Sequence, residues 1–337
     1  MMNTIKISAL LILAASLCGC SKWTDPKSLD ITPKPDAPCC EYYQNLRNYK
    51  AGEHKIAVFG MDATAGVPTG RVQHLTAMPD STDYIYLRSL GSGLHPSLAD
   101  EITTVREQNG TKVLADVDFA AICDEWDELQ NKKEDAGQPA GSEAEFTVLC
   151  RERLLSQLGY CSEYGLDGIM ASFNGAAEFA LAGRDCFVNT IMEWLGDNPS
   201  KTLFVRGILA TLIRNTNGNT EVYDVKSFLN RCEGLVYDCG TEYSASNIEM
   251  AIDRIIDRGN GNVPTDRFLI EVTVPTPADP AQIGMSTSAA ASWVLEPYSN
   301  FSKKGLCVSN AQDAYFYAAS SYGSLREAIN IMNRSNN

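Results

Sequence analysis

The most informative segment of the chain is residues 164–174, which read Tyr-Gly-Leu-Asp-Gly-Ile-Met-Ala-Ser-Phe-Asn. Within it, residues 166–173 form a short run that is largely apolar on both alternating faces. A strand with two apolar faces is typical of a parallel sheet that helices cover on both sides. The segment therefore predicts a buried parallel strand that ends at Asn174.

Similar short apolar runs precede and follow this strand. They predict strands at residues 55–61, 83–89, 111–118, 202–209, 234–238, 268–274 and 305–309. Amphipathic stretches predict helices between most of them, at residues 142–161, 176–196, 246–258 and 322–333; the third opens with a Ser or Asn cap and ends at Gly259. Eight strands alternating with helices over about 280 residues predict a (β/α)8 TIM barrel of class α/β.

An open, doubly wound sheet is the alternative fold. No G-x-G-x-x-G sequence follows the first predicted strand, so the glycine-rich phosphate loop of dinucleotide-binding sheets is missing. In a barrel, ligands bind where the strands end. The candidate residues at those ends are Asp62, Arg88, Asp118, Phe173, Asn174, Arg206, Tyr237, Asp238, Tyr243, Glu271 and Asn310.

The strand of residues 166–174 resembles the D-G-x-D-x-D-x-E signature of glycoside hydrolase family 18, the chitinases and endo-β-N-acetylglucosaminidases. The family carries this signature at the end of the fourth barrel strand. Asp167 and Gly168 match its opening. Met170, Ser172 and Asn174 stand where the signature has its later three acids, so the resemblance implies a degenerate catalytic motif.

Both ends of the chain add to the resemblance. Residues 315–317 (Tyr-Phe-Tyr) and 322–333 look like the closing helix of family-18-type lipoproteins from Bacteroidetes glycan-utilisation loci. Residues 23–27 (Trp-Thr-Asp-Pro-Lys) are similar to the tethers of those lipoproteins. The resemblance thus covers most of the chain.

The replaced residues matter because of the chemistry that the family performs. There, the substrate's own acetamide attacks the anomeric carbon, the Glu protonates the leaving oxygen, and the Asp two residues earlier orients the acetamide. General acid catalysis contributes about 10²–10⁴-fold. Asn174 has no proton to give and Ser172 has no charge, so we expect no catalytic residue in this motif. Asn174 can still hydrogen-bond a sugar, although a decayed site is the alternative.

Other residues could act at the barrel mouth. Glu178, Asp118, Asp238 and Glu242 are candidate displaced acids, although each also fits a solvated loop charge. Tyr237 or Tyr243 matches the family's acetamide-contacting Tyr, and Trp293 and Tyr315 are candidate sugar platforms that could equally be core or surface residues. The predicted glycan-binding residues are Asp62, Asp118, Phe173, Asn174, Arg206, Tyr237, Tyr243, Trp293 and Tyr315.

The N-terminus predicts export. Lys6 precedes an apolar run too short to span a bilayer, and Leu17-Cys18-Gly19-Cys20 resembles the lipobox of bacterial lipoproteins. We expect residues 1–19 to be a lipoprotein signal peptide, residues 20–52 a tether lipidated at Cys20, and residues 53–337 the barrel. An ordinary secretion signal is the alternative.

The composition of the chain argues against nucleic acid and metal ions as binding partners. The formal charge of −14 disfavours nucleic acid. Three histidines without metal-ligand spacing, and cysteines without a C-x-x-C, give no support for a metal site. We expect no cofactor, and buried apolar thiols for most cysteines.

Three functions remain open. The first is an inactive surface lipoprotein on the outer membrane that binds a GlcNAc-containing, N-glycan-like sugar for a SusC/SusD-type importer. The second is an active endo-β-N-acetylglucosaminidase with a displaced acid. The third is an importer assembly subunit that binds no sugar.

Overall fold

Eight parallel strands close in chain order into one barrel in the computed structural model, which describes residues 40–174, 179–213, 224–276, 278–316 and 320–334. The strands are β1 Ile56–Asp62, β2 Tyr84–Arg88, β3 Lys112–Asp118, β4 Gly168–Phe173, β5 Thr202–Gly207, β6 Gly234–Asp238, β7 Phe268–Val272 and β8 Lys303–Val308. Backbone hydrogen bonds between β1 and β8 complete the ring. The predicted (β/α)8 barrel is confirmed.

Helices surround the strands. Those described are α1 Cys40–Ala51, α2 Pro96–Asn109, α3 Phe119–Asp135, α4 Glu143–Glu163, α5 Ala180–Asp197, α6 Leu209–Leu212, α7 Val225–Arg231, α8 Ala245–Gly259, α9 Thr287–Leu295 and α10 Gly323–Met332. Their starts follow capping rules: Ser142 and Glu145 form a capping box on α4, and the Ser244 hydroxyl accepts from Asn247 N at the start of α8.

Two apolar layers form the core. One fills the barrel and the other lies between the strands and the helices. On β4, Met170 and Ser172 point inward, whereas Ile169, Ala171 and Phe173 pack against the outer layer, as strand alternation requires. The apolar side chains inside the barrel belong to Ile56, Val58, Tyr84, Tyr86, Leu114, Met170, Phe204, Val236, Leu269 and Cys307.

The predicted tether of residues 20–52 is partly wrong, because its last part is helical and belongs to the barrel unit. That compact unit comprises Tyr43–Asn337. Arg47 Nη1 donates to Glu107 O and Gln108 O, both at 2.9 Å, and Lys50 Nζ donates to backbone and side-chain oxygens at the base of β2 and β3. Burial lowers the pKa of Lys50 to about 8. These bonds fix the helix, which the sequence alone leaves without an apolar face.

Residues 1–39 lie outside the described residues, and so does Cys20 with the predicted signal peptide. Of the helices that the structure describes, none combines the length and the apolar character needed to cross a membrane.

Candidate functional site

The Asp-Gly pair that opens the motif lies at the base of β4, away from the mouth. The Asp167 carboxylate pairs with Arg106 Nε at 2.9 Å and accepts from Val113 N at 2.8 Å. Gly168 leaves room for β5, because a Cβ there would lie 2.0 Å from Thr202 O. These two residues therefore connect β4 to α2, β3 and β5. Their match to the family signature is explained by the barrel structure and does not require catalysis.

The next two motif positions are closed inside the barrel. Met170 and Ser172 are both fully buried. The Ser172 hydroxyl donates to Asp116 Oδ1 and accepts from Arg206 Nη1 at 3.2 Å. A serine at this position thus bonds to barrel side chains rather than pointing a free hydroxyl at a ligand.

Arg206 on β5 is the centre of this arrangement. Its Nε and Nη2 donate to the two Glu271 carboxylate oxygens at 2.8 and 2.7 Å, a bidentate pair whose side chains are 11% and 4% exposed. Its guanidinium carbon lies 5.7 Å from the ring centre of Tyr86. We call Tyr86, Asp116, Ser172, Arg206 and Glu271 the interior network.

Burial inside the interior network, more than the charges around it, determines the pKa of Asp116. One guanidinium faces two carboxylates, and burial is the largest effect on Asp116. Burial raises the pKa of Asp116 to about 6, although Arg206 and the Ser172 hydroxyl act in the opposite direction. Burial also disfavours the charged form of Arg206, but Tyr86, Glu271 and Asp116 hold its pKa well above the ordinary value.

Asn174 follows β4 at the mouth and is half-buried. Its side-chain oxygen lies against Gly207, where a Cβ would come within 2.3 Å of it. Gly207 has φ of +105°, which a glycine adopts without strain. The end of β4 thus places the Asn174 amide directly against Gly207 of β5. Glu178, the candidate acid one turn further on, lies outside the described residues.

The other polar residues predicted at the mouth have local partners. Asp62 pairs with Arg88 at 2.8 Å and accepts from Gln312 Nε2 at 2.9 Å. Asp118 caps α3 by accepting from Ala120 N at 2.9 Å. These bonds satisfy part of each carboxylate and leave oxygen lone pairs for a ligand.

The later strand ends show the same pattern. Asp238 is exposed and accepts from Gly240 N at 2.8 Å, while Glu242 accepts from Tyr243 N, Ser244 N and Asn247 Nδ2. Asn310 bonds to both the N and the O of Val274 at 2.9 Å, which ties the β7 and β8 loops together. As candidate displaced acids, Asp118, Asp238 and Glu242 are all engaged in shaping turns or helix starts.

Two predicted aromatic contacts are wrong. Phe173 is 3% exposed and stacks on Phe119 in the outer apolar layer, with ring centres 4.7 Å apart, because odd positions of β4 point away from the barrel axis. Trp293 is 1% exposed on α9, with Lys303 Nζ 4.1 Å from its ring centre. Neither ring can meet a sugar at the mouth.

The remaining aromatic candidates differ in exposure. Tyr237 is half-buried and packs against the outer layer, since Val236 takes the inward position. Tyr243 is 77% exposed. Tyr315 is half-buried between Phe316 and Tyr322, and Phe316, which the sequence reasoning missed, is 61% exposed.

The sequence reasoning also missed Asp116 and Tyr86. A usable signal existed for Asp116, because it shares a strand face with Asp118 two residues later. Tyr86 carried no such signal, since a tyrosine in a predicted strand is ordinary core. In the described part of the chain, no group of His, Cys, Asp and Glu side chains is arranged to hold a metal ion.

Comparisons with known proteins agree with this architecture. The family model described as glycoside hydrolase family 18, BT1044-like, matches residues 24–331. No curated protein sequence matches the chain. A selenomethionine form of a BT1044 glutamate-to-glutamine variant superposes with a TM-score of 0.62 at 16% identity, covering 87% of this chain and 92% of that one.

Two further solved structures share the fold. An endo-β-N-acetylglucosaminidase from Cordyceps militaris has a TM-score of 0.59 at 14% identity, over 88% of this chain and 97% of its own. A family 18 chitinase from Pseudoalteromonas aurantia has a TM-score of 0.54 at 10% identity, over 82% and 99%. Because the family model matches residues 24–331, which is nearly the whole of this chain, the chain belongs to glycoside hydrolase family 18, in the BT1044-like group.

Proposed function

We propose that this chain is a non-hydrolytic family 18 barrel that binds a GlcNAc-containing glycan at its mouth. One observation carries the proposal: Ser172 is locked between Asp116 and Arg206, and the next inward residue, Asn174, is an amide. Neither position offers a carboxyl group to a glycosidic bond. An amide can still both donate to and accept from a sugar hydroxyl or acetamide.

The related structures support the ligand class. A variant of the Cordyceps militaris enzyme in which one Asp and one Glu are changed to amides was solved in complex with fucosyl-N-acetylglucosamine-Asn. That variant is in complex with the sugar although two of its carboxyl groups are replaced by amides. We propose the same ligand class here, with Asn174 and the exposed Tyr243 and Phe316 as contacts.

The test is titration calorimetry with fucosyl-N-acetylglucosamine-Asn and with an N-glycan that carries it, followed by mass analysis of the sugar. We expect saturable binding and an intact glycan. Asn174→Ala should weaken binding about tenfold, the loss of one or two hydrogen bonds. Asn330→Ala, an exposed asparagine on α10, is the matched control and should change nothing. Absence of binding in the unaltered protein would favour an assembly subunit instead.

A second candidate function is glycan hydrolysis as an endo-β-N-acetylglucosaminidase, with Asp116 as the displaced acid. Its pKa of about 6 suits a carboxyl group that gives up a proton near neutral pH. If glycan cleavage is found, Asp116→Asn should abolish it and Glu242→Gln should leave it intact, because Glu242 only shapes the start of α8. If both variants still cleave the glycan, Asp116 is excluded as the catalytic acid.

We also propose that the protein is held on the outer membrane through a lipid on Cys20 and serves a SusC/SusD-type importer. The lipobox-like segment supports the anchor. Cys20→Ser should move the protein from the membrane fraction to the soluble fraction, while Cys18→Ser should not. Crosslinking followed by mass spectrometry in glycan-grown cells tests the importer.

A further inference from the structure

Two cysteines lie where helices α4 and α5 pack against each other outside β4. Cys150 of α4 is fully buried and Cys186 of α5 is 9% exposed. The Cys186 sulfur lies 3.7 Å from Thr147 O, one turn before Cys150 on the facing helix. Thr147 and Cys150 are three residues apart and therefore share a face of α4, so the Cys150 thiol lies on the face that α5 covers. The packing of α4 on α5 thus places the two cysteines at the same height along the two helices.

The surroundings make the two sulfurs chemically unequal. The interaction between the two thiols raises the pKa of the Cys150 thiol and lowers the pKa of the Cys186 thiol. Cys186 also lies 3.9 Å from Thr190 Oγ1, which accepts from Arg151 Nη1 at 3.4 Å. Cys186 is therefore the thiol of the pair that ionises more readily, and it is the one with some solvent access.

The other described thiols lack such a partner. Cys161 donates to Gly168 O at 3.2 Å and Cys232 to Leu229 O at 2.9 Å, each within its own element or connection. Cys123 is a buried thiol on α3. Among the described cysteines, the facing arrangement is specific to Cys150 and Cys186.

We propose that Cys150 and Cys186 are a disulfide-forming pair that links α4 to α5 when the protein meets a small aliphatic disulfide. The Cys186 thiolate attacks one sulfur of the oxidant, which forms a mixed disulfide and releases one thiolate. Cys150 then loses its proton to water and attacks the Cys186 sulfur, which forms the protein disulfide and releases the second thiolate. Two protein thiols are oxidised and one oxidant disulfide is reduced to two thiols.

The disulfide would close a loop of chain that includes β4, the strand that carries the motif. The closed loop contains β4 with Ser172, and α5 leads away from the segment that follows Asn174. Closing a loop of this kind restricts the unfolded chain and stabilises the fold. The inference is independent of sugar binding, because it rests on the outer helices alone.

The test uses the full chain, reduced and then incubated with oxidised glutathione. Free thiols are alkylated in denaturant and the protein is digested and mapped by mass spectrometry. We expect a crosslinked species joining the peptides of Cys150 and Cys186, about 2 Da lighter than the two reduced peptides together. The oxidised protein should melt several degrees higher than the reduced protein, and dithiothreitol should reverse the gain.

Matched variants complete the design. Cys186→Ala should abolish both the crosslink and the gain in melting temperature, whereas Cys123→Ala, the nearby buried thiol, should keep both. If Cys186→Ala fails to fold, the peptide map of the unaltered protein decides alone. The proposal is overturned if Cys150 and Cys186 remain alkylatable after oxidation, carry only glutathione, or crosslink to Cys123.

Discussion

Arg206 is the residue on which the interior network depends. It is the single cation facing Asp116 and Glu271 within that network, and it reaches Ser172 as well. Removing one partner of a buried ion pair leaves an uncompensated charge, whereas replacing both partners with apolar residues is often nearly neutral. The network therefore predicts a strong asymmetry between single and double substitutions.

We expect Arg206→Met to lower the free energy of unfolding by about 3–5 kcal/mol, and Arg206→Met/Glu271→Leu to recover most of that loss. Urea unfolding followed by circular dichroism measures both. The control is Arg151→Met, which breaks a pair with Glu193 of equal length, 2.7 Å, on the exposed surface; it should cost under about 1 kcal/mol. Equal losses from the single and double network variants would contradict the buried-pair argument.

Asp116 gives a pH dependence whose sign is fixed by its pKa. The pKa of Asp116 in the folded state is about 6, above the ordinary value of 3.8, so the folded state holds the proton more tightly than the unfolded state. Stability from this group is present below pH 4 and is lost as the pH rises through about 6. The total change is at most about 3 kcal/mol.

The measurement is urea unfolding of the unaltered protein and Asp116→Asn at pH 4, 5, 6 and 7. We expect the difference between them to shift by about 1–3 kcal/mol, with the unaltered protein relatively more stable at the acidic end. An amide does not titrate, so the variant isolates this carboxyl group. A difference that stays constant across the series would place the Asp116 pKa in its ordinary range.

At the scale of elements, β4 shows a structural reason for the Asp-Gly pair of the motif. Gly168 is needed because the backbone of β5 passes close by, as the 2.0 Å approach of a Cβ to Thr202 O shows. Gly159, in the middle of α4, is exposed and has nothing within 4 Å of a Cβ position. The two glycines therefore predict opposite responses to one added methyl group.

Gly168→Ala should destabilise the protein by about 1–3 kcal/mol or more, since backbone atoms would have to move. Gly159→Ala should stabilise it by about 0.5–1 kcal/mol, because alanine favours the helix. Thermal and urea unfolding of the two variants side by side check both signs. A neutral Gly168→Ala would mean that the β4–β5 contact can relax.

The strands were predictable and several helices were not, for physical reasons. Parallel barrel strands are apolar on both faces, so runs such as residues 234–238 are visible in the sequence and match β6 as observed. Helices α2 and α3 were not predicted because charged and polar residues interrupt their apolar positions. Their stability comes from Pro96 at the first turn, from the Asp118 cap and from packing on the barrel.

The candidate site was predictable only at the level of strand ends. Asn174, Arg206 and Glu271 were found because they end barrel strands. Which of them pair was not visible, since the Arg206–Glu271 contact joins residues from β5 and β7 across the barrel interior. Phe173 was misplaced because adjacent strand residues face opposite sides, and a one-residue difference moves a side chain from the mouth to the outer core.

At the scale of the whole molecule, the proposed absence of hydrolysis has two candidate causes: the residues at positions 172 and 174, or the barrel interior as a whole. Ser172→Asp/Asn174→Glu restores both acids of the family signature. The new Asp would enter a buried space that already holds Asp116 and Glu271 against the one guanidinium of Arg206. A third carboxylate there is costly, because burial penalises charges without partners.

We therefore expect the double variant to unfold about 1–3 kcal/mol more easily than the unaltered protein, and to release no sugar from an N-glycan containing fucosyl-N-acetylglucosamine-Asn. Adding Asp116→Asn removes one carboxylate and should return part of the stability, which identifies charge crowding as the cause. Urea unfolding and mass analysis of the glycan are the two readouts. Cleavage by the double variant would show that the interior network is compatible with hydrolysis, so that the proposed absence of hydrolysis would rest on Ser172 and Asn174 alone.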